Sequence, residues 1–174
     1  MPSRGPADVF VEWVGPATED WRSRLEMEEV GCFRLHGLEW QESFIAEDGQ
    51  RRLCRFRAPD AESVRIAFRQ AGLRVDAVWS GTLIEVREDD AAAASVLEWP
   101  FAPPSPADAT SALARAHREG FGGLGFEPVR VIVPADRRRI ICFGAFAATV
   151  PARGRPAATW RFRHLVAPSV NGKG

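Results

Sequence analysis

Apolar and polar residues alternate along much of the chain. The pattern is clear in 8–18 (DVFVEWVGPAT), in 38–59, in 77–86, in 95–105, in 126–148 and in 159–166. A period of two sends successive side chains to opposite faces of a β-strand. Asp48-Gly49 and Asp136-Arg137 interrupt the two longest stretches, so 38–59 and 126–148 are predicted to be hairpins, the first with the stronger turn signal. Three intervening stretches take the helical period instead: 19–30, 60–71 and 106–119. In the second of these, Ala61, Val64, Ala67, Phe68 and Ala71 make one apolar stripe, Asp60 is a natural N-cap, and Gly72 ends it.

The predicted elements fall into two similar sets. Glu12-Trp13 and Glu98-Trp99 each stand on a strand that runs into a proline-containing turn, and a helix follows each. Each hairpin then carries an aspartate six residues before a cysteine, Asp48 with Cys54 and Asp136 with Cys142. Trp79 and Trp160 lead the two last strands. The order is β-α-β-β-α-β in residues 8–86, repeated in 95–168 without its second helix, because 150–159 is broken by Pro151, Gly154 and Pro156. Residues 87–94 (REDDAAAA) form a linker and 169–174 a tail. The expected fold is α+β: two fused ferredoxin-like units whose uncovered sheet faces shelter one another as a pseudo-twofold α+β barrel.

Residues 38–86 resemble a known family. Trp40, Ser43, Asp48, Cys54, Ala58, Pro59, Ala71 and Gly72 stand where the bacterial nickel-binding-protein-like family of small ferredoxin-like domains has its W-x-x-S, D, C-x-x-x-A-P and A-G positions, and Glu12 matches an acidic position on that family's first strand. The resemblance implies the fold and raises nickel as a ligand. Phe44 and Phe56 replace tyrosines of the family pattern, Ala67 stands where a helix histidine is expected, and Glu42 replaces a basic residue or histidine. Nickel prefers imidazole and oxygen donors, so the change at Ala67 removes one.

Composition narrows the classes. The 174 residues carry 23 basic and 23 acidic side chains, so no strong field favours nucleic acid. A hydrophobic share of 45% suits a packed domain, and no apolar run approaches the ~20 residues of a membrane helix. The first residues, MPSRGPADVF, lack a signal-peptide pattern, so a cytoplasmic location is expected. Cys32, Cys54 and Cys142 form no close pair and read as reduced thiols.

Candidate chemistry centres on carboxylates inside strands. With strict alternation, Glu42 lies on one face between Trp40 and Phe44, and Glu12 lies between Phe10 and Val14, with Glu98 its counterpart in the second set. A glutamate among aromatics is costly as an unpaired ion and suits general acid or base work. His36 and His164 are the histidines that could assist, while His117, beside Arg118 and Glu119, reads as a surface residue. Phe10, Trp40, Phe44, Phe56, Trp79 and Trp160 would line an apolar pocket. FGGLGF at 121–126 has neither the spacing of a dinucleotide loop nor a Walker lysine, and reads as a loop that could close over a pocket.

These features predict a cofactor-free cyclase or isomerase acting on a hydrophobic, polyketide- or terpene-like metabolite, with Glu42, Glu12 or Glu98 as acid or base and His36 or His164 assisting. The alternative is a non-catalytic nickel-binding protein using His36, Glu12, Glu42 and His164. A third possibility is a structural or regulatory module whose interior is filled by its own side chains. A monomer or weak homodimer is expected, with no nucleic-acid or membrane partner.

Overall fold

A computed structural model describes residues 5–87, 94–147 and 159–166, apart from 17, 19 and 30. Its elements are β1 (Ala7–Val14), α1 (Trp21–Glu29), α2 (Cys32–Leu35), β2 (Glu39–Ala46), β3 (Arg51–Ala58), α3 (Ala61–Gln70), β4 (Ala77–Glu85), β5 (Ser95–Pro100), α4 (Ala109–Glu119), a 3-10 turn (Phe121–Leu124), β6 (Phe126–Pro134), β7 (Arg139–Phe146) and β8 (Thr159–Val166). The fold is mixed α+β with an antiparallel sheet. The expected break in the second set's last helix lies in 148–158, outside the described residues, as do 88–93 of the linker and the tail.

Two compact units divide the chain: Met1–Ser80 with Arg163–Gly174, and Gly81–Phe162. Within the first, the strands lie in the order β4-β1-β3-β2-β8; within the second, β8-β5-β7-β6-β4. Strands β4 and β8 each contribute one segment to either unit.

In the first unit the helices cover one sheet face. Val9, Val11, Cys54, Phe56 and Val78 from the strands pack against Leu25, Phe33, Val64, Ala67 and Phe68 from the helices. Phe33 stacks on Phe68 at 4.8 Å and meets Phe56 edge-on at 5.6 Å. Helix α3 forms as its sequence pattern predicts: the Ser63 amide donates to Asp60 Oδ1 at 2.7 Å, and Gly72 ends the helix at φ 68°, with the Leu73 amide donating to the Phe68 carbonyl. The expected helix at 19–30 is α1 over the described residues Trp21–Glu29, and a second short helix, α2, follows Gly31. Arg52, buried on this side, is accommodated between the indoles of Trp13 and Trp21, 5.0 Å from each.

The opposite face of this sheet is also buried. Phe10, Phe44 and Leu53 have almost no exposed surface, and they share their face with Glu12 and Glu42. A carboxylate in such surroundings needs partners, and the strands supply them.

Several strand registers of the second unit parallel those of the first. Val11 faces Cys54 across β1 and β3; Leu97 faces Cys142 across β5 and β7. Phe10 faces Trp79, and Val96 faces Trp160. The hairpin turns match atom for atom, with Asp48 Oδ1 accepting from the Gln50 amide and Asp136 Oδ1 from the Arg138 amide. Between those residues Gly49 takes φ 71° and Arg137 takes φ 51°.

Strict alternation fails at one place that matters. A β-bulge falls between Trp40 and Glu42, so Trp40 faces Phe56 while Glu42 faces Arg55. Trp40 is thereby turned to the helix-covered core, and the expected pairing of Trp40 with Glu42 on one face is corrected. The same irregularity recurs in β6, between Pro128 and Arg130.

Candidate functional site

Glu42 is the centre of a polar row that crosses four adjacent strands of the first unit, β1-β3-β2-β8. Its Oε2 lies 2.7 Å from His164 Nε2, and its Oε1 lies 2.6 Å from Arg55 Nε. Arg55 reaches on to Asp8, with Nη1 donating to Oδ1 at 3.2 Å. The row therefore reads Asp8, Arg55, Glu42, His164, with acidic and basic groups in alternation. Cross-strand neighbours of opposite charge stabilise a sheet, and in a buried setting they balance what would otherwise be an uncompensated carboxylate.

Burial grades along this row. The Glu42 side chain is 5% exposed, Arg55 20%, His164 26% and Asp8 29%, so of the two groups that flank Glu42 the imidazole is the more accessible to solvent or a solute. Phe44 fixes the imidazole plane: the two rings stack 5.0 Å apart at an interplanar angle of 7°. An ionised carboxylate can only accept a hydrogen bond, so a neutral His164 facing it carries its proton on Nε2 and its lone pair on Nδ1. Orientation and tautomer are thus both set by neighbours, as in the carboxylate–histidine pairs of acid–base enzymes.

The other expected site residues are placed elsewhere. Glu12 is buried on the same face, with its Oε2 4.0 Å from Arg51 Nη2. Its counterpart Glu98, in the second unit, is held by Arg139 at 3.1 Å and accepts from Trp160 Nε1 at 3.3 Å. His36 ends α2 and bonds Gln70 Oε1 on α3 at 2.7 Å, so it belongs to the helices and not to the polar row. Of the expected aromatic lining, Phe10, Phe44 and Trp79 share the Glu42 face, and Phe10 stacks on Trp79 at 4.7 Å. Trp160 stands with Glu98 in the second unit. Trp40 and Phe56 belong to the helix-side core, a correction that follows from the bulge. Gly122 and Phe121 of the FGGLGF stretch pack against His117.

Arg55 and Asp8 were not among the expected residues. Arg51, Arg55 and Arg57 sit at strand-like spacing with Leu53, which gives a charged stripe on one face of β3. That stripe could have pointed to a carboxylate partner on each side once the register was known.

Cys54 lies under the sheet. The Ser43 hydroxyl donates to its Sγ at 2.7 Å, and Trp40 Nε1 donates to Ser43 Oγ at 3.0 Å. Burial pushes the Cys54 thiol up to about 12, against smaller opposing effects of Ser43 and Arg52. Burial raises Cys142 as well. Both are protonated at neutral pH, which makes them poor nucleophiles.

The geometry defines an α+β domain with a carboxylate-oriented histidine on a buried sheet face. Residues 12–80 match the family described as nickel responsive protein SCO4226-like. The resemblance of the first half to a nickel-binding-protein-like family therefore holds over those residues. No curated protein matches the chain. A solved structure described as a crystal structure study of an anthrone oxidase-like protein aligns over 94% of this chain and 94% of its own, at 9% identity and a TM-score of 0.45.

The family description raises nickel, and the described residues do not fit it. Among them, no three His, Cys, Asp or Glu side chains gather into a group able to hold a metal ion. His36, Glu12, Glu42 and His164 are not brought together as a donor set, and Glu42 faces the cationic Arg55 where a metal site would need a further donor.

Proposed function

We propose that this chain binds a small hydrophobic metabolite and that its Glu42–His164 pair moves a proton on it, in an isomerisation or cyclisation that needs no cofactor. The observation that carries this reading is the 2.7 Å contact between Glu42 Oε2 and His164 Nε2, with Glu42 anchored from its other side by Arg55.

The division of labour follows from burial. Glu42 has both oxygens engaged and is nearly inaccessible, so it serves as the positioning group. His164 is the proton carrier: its Nδ1 takes a proton from an acidic C–H, and the imidazolium that forms is compensated by the adjacent Glu42 carboxylate. The same imidazolium returns the proton to another carbon or oxygen of the bound molecule, which completes an isomerisation without net redox change. Phe10, Phe44 and Trp79 supply the apolar surface. Each ~1.4 kcal/mol of transition-state stabilisation is a tenfold rate, so one oriented imidazole is a measurable catalyst.

A chemically simple probe tests this. 5-Nitrobenzisoxazole loses its C3 proton to a base while its ring N–O bond breaks, giving a coloured cyanophenolate. Saturable acceleration by the protein is expected. It should fall at least tenfold in His164→Gln and severalfold in Glu42→Gln, with thermal midpoints near that of the parent. Equal rates in parent and His164→Gln would remove His164 from the chemistry.

The fold reading that goes with this is of two ferredoxin-like copies. The strand orders β4-β1-β3-β2 and β8-β5-β7-β6, together with the matching registers and bulges, support it. The second reading, nickel binding without catalysis, rests on the family match over 12–80 and not on an assembled donor set. Absence of heat on calorimetric titration with micromolar nickel retires it.

A further inference from the structure

Apart from the polar row, the helix side of the first unit carries a groove of about 390 Å³, lined by Arg65, Phe68, Arg69, Gly72, Leu73, Arg74 and Val75. Sequence explains how it is made. Arg65, Phe68, Arg69 and Gly72 follow the i, i+3, i+4, i+7 spacing of one helix stripe, so they line up along α3 and its end. Gly72, at φ 68°, turns the chain back so that Leu73, Arg74 and Val75 form the other wall. The Trp13 indole donates to the Arg74 carbonyl at 2.7 Å and pins that wall to the sheet.

The lining is of two kinds. Phe68 is buried, and Leu73 and Val75 are half-buried, which makes an apolar floor. The rim is basic and no acidic residue lines the groove. Arg65 is occupied, donating to Glu62 at 3.1 Å and to the Val78 carbonyl at 2.7 Å. The guanidinium groups of Arg69 and Arg74, both exposed, by contrast have no hydrogen-bond or ion-pair partner among the described residues, their backbone alone being engaged. Nearby Asp76 accepts from the Val14 amide and lies outside the lining.

We propose that this groove binds a free amphiphilic carboxylate, its apolar part on Phe68, Leu73 and Val75 and its carboxylate held by Arg69 and Arg74. Guanidinium groups match carboxylate oxygens in geometry and charge, and a volume of this size suits a small ligand.

Decanoate is the probe, followed by amide chemical shifts of the full-length protein. Saturable shifts centred on residues 65–75 are expected. The neutral decanol should bind at least tenfold more weakly. The double variant Arg69→Ala/Arg74→Ala should also lose at least tenfold in affinity. Both arginines are solvent-facing, and an unchanged thermal midpoint would show that the double variant is folded. Loss of affinity in raised salt is a further expected result. The proposal is overturned if decanoate shifts residues elsewhere or none. Equal binding of decanol, undiminished binding by the folded double variant, or binding only to anionic phospholipid vesicles also overturns it.

Discussion

At the scale of single residues, the polar row explains why Glu42 tolerates burial. Arg55 balances it, and Asp8 shares the guanidinium. Removing Arg55 leaves a carboxylate nearly out of water, so Arg55→Met is expected to destabilise the protein by about 2–3 kcal/mol, below the full cost of breaking a deeply buried pair because Arg55 itself is partly solvated. Urea unfolding of parent and variant measures it; a change below about 0.5 kcal/mol would mean that water supplies the lost compensation. Cysteine chemistry is a second residue-scale expectation. With its thiol pushed up to about 12 by burial, Cys54 should resist alkylation at neutral pH until the protein unfolds, and Cys142 should behave alike. Mass spectrometry of the alkylated native protein checks this. Glu42 and His164 were individually legible in the sequence as chemistry-bearing residues on strands. Their contact was not, because 122 positions separate them and nothing local encodes that meeting. Arg55 and Asp8 were missed for a related reason, since a basic stripe identifies its partners only through register.

At the scale of elements, caps and turns carry testable energetics. The Ser63 amide, bonded to the Asp60 carboxylate, holds that carboxyl below its ordinary range. A depressed folded-state value means that Asp60 adds stability above its unfolded pKa and loses it as pH falls through the folded one. Asp60→Ala should therefore cost about 1 kcal/mol at neutral pH. The gap should narrow as pH drops below the ordinary aspartate value of about 3.9. Thermal midpoints at both pH values decide it, and a gap that widens in acid would contradict the cap. In the second hairpin, Arg137 occupies at φ 51° the left-handed turn position that Gly49 fills at φ 71° in the first. Arg137→Gly is expected to be neutral or to stabilise by up to about 1 kcal/mol in denaturant unfolding, because glycine enters that region without a Cβ penalty. Helix α3 was readable because its stripe, cap and terminal glycine agree. The bulge at Trp40 was not readable, since no glycine or proline marks it, and one extra residue is enough to send a side chain to the other face.

At the scale of the whole molecule, the candidate site depends on both ends of the described chain. Strand β8 supplies His164, while β1, β2 and β3 supply the rest of the row. Strands β4 and β8 also contribute to both units, so a single cooperative unfolding transition is expected, coincident by tryptophan fluorescence and far-ultraviolet circular dichroism. Two separated transitions would show that the units melt independently. Among the described residues, no helix is long and apolar enough to cross a membrane. The repeated spacing of Glu-Trp, Asp and Cys was legible as two similar sets, and the registers Val11–Cys54 and Leu97–Cys142 support that reading. The most direct measurement concerns the contact between β8 and β2. In protein labelled with 15N-histidine, at a pH where the imidazole is neutral, the His164 ring is expected to carry its proton on Nε2, and Glu42→Gln should weaken that preference. A proton on Nδ1 in the parent protein, or a tautomer balance that ignores Glu42, would contradict the carboxylate-oriented base on which the proposed chemistry rests.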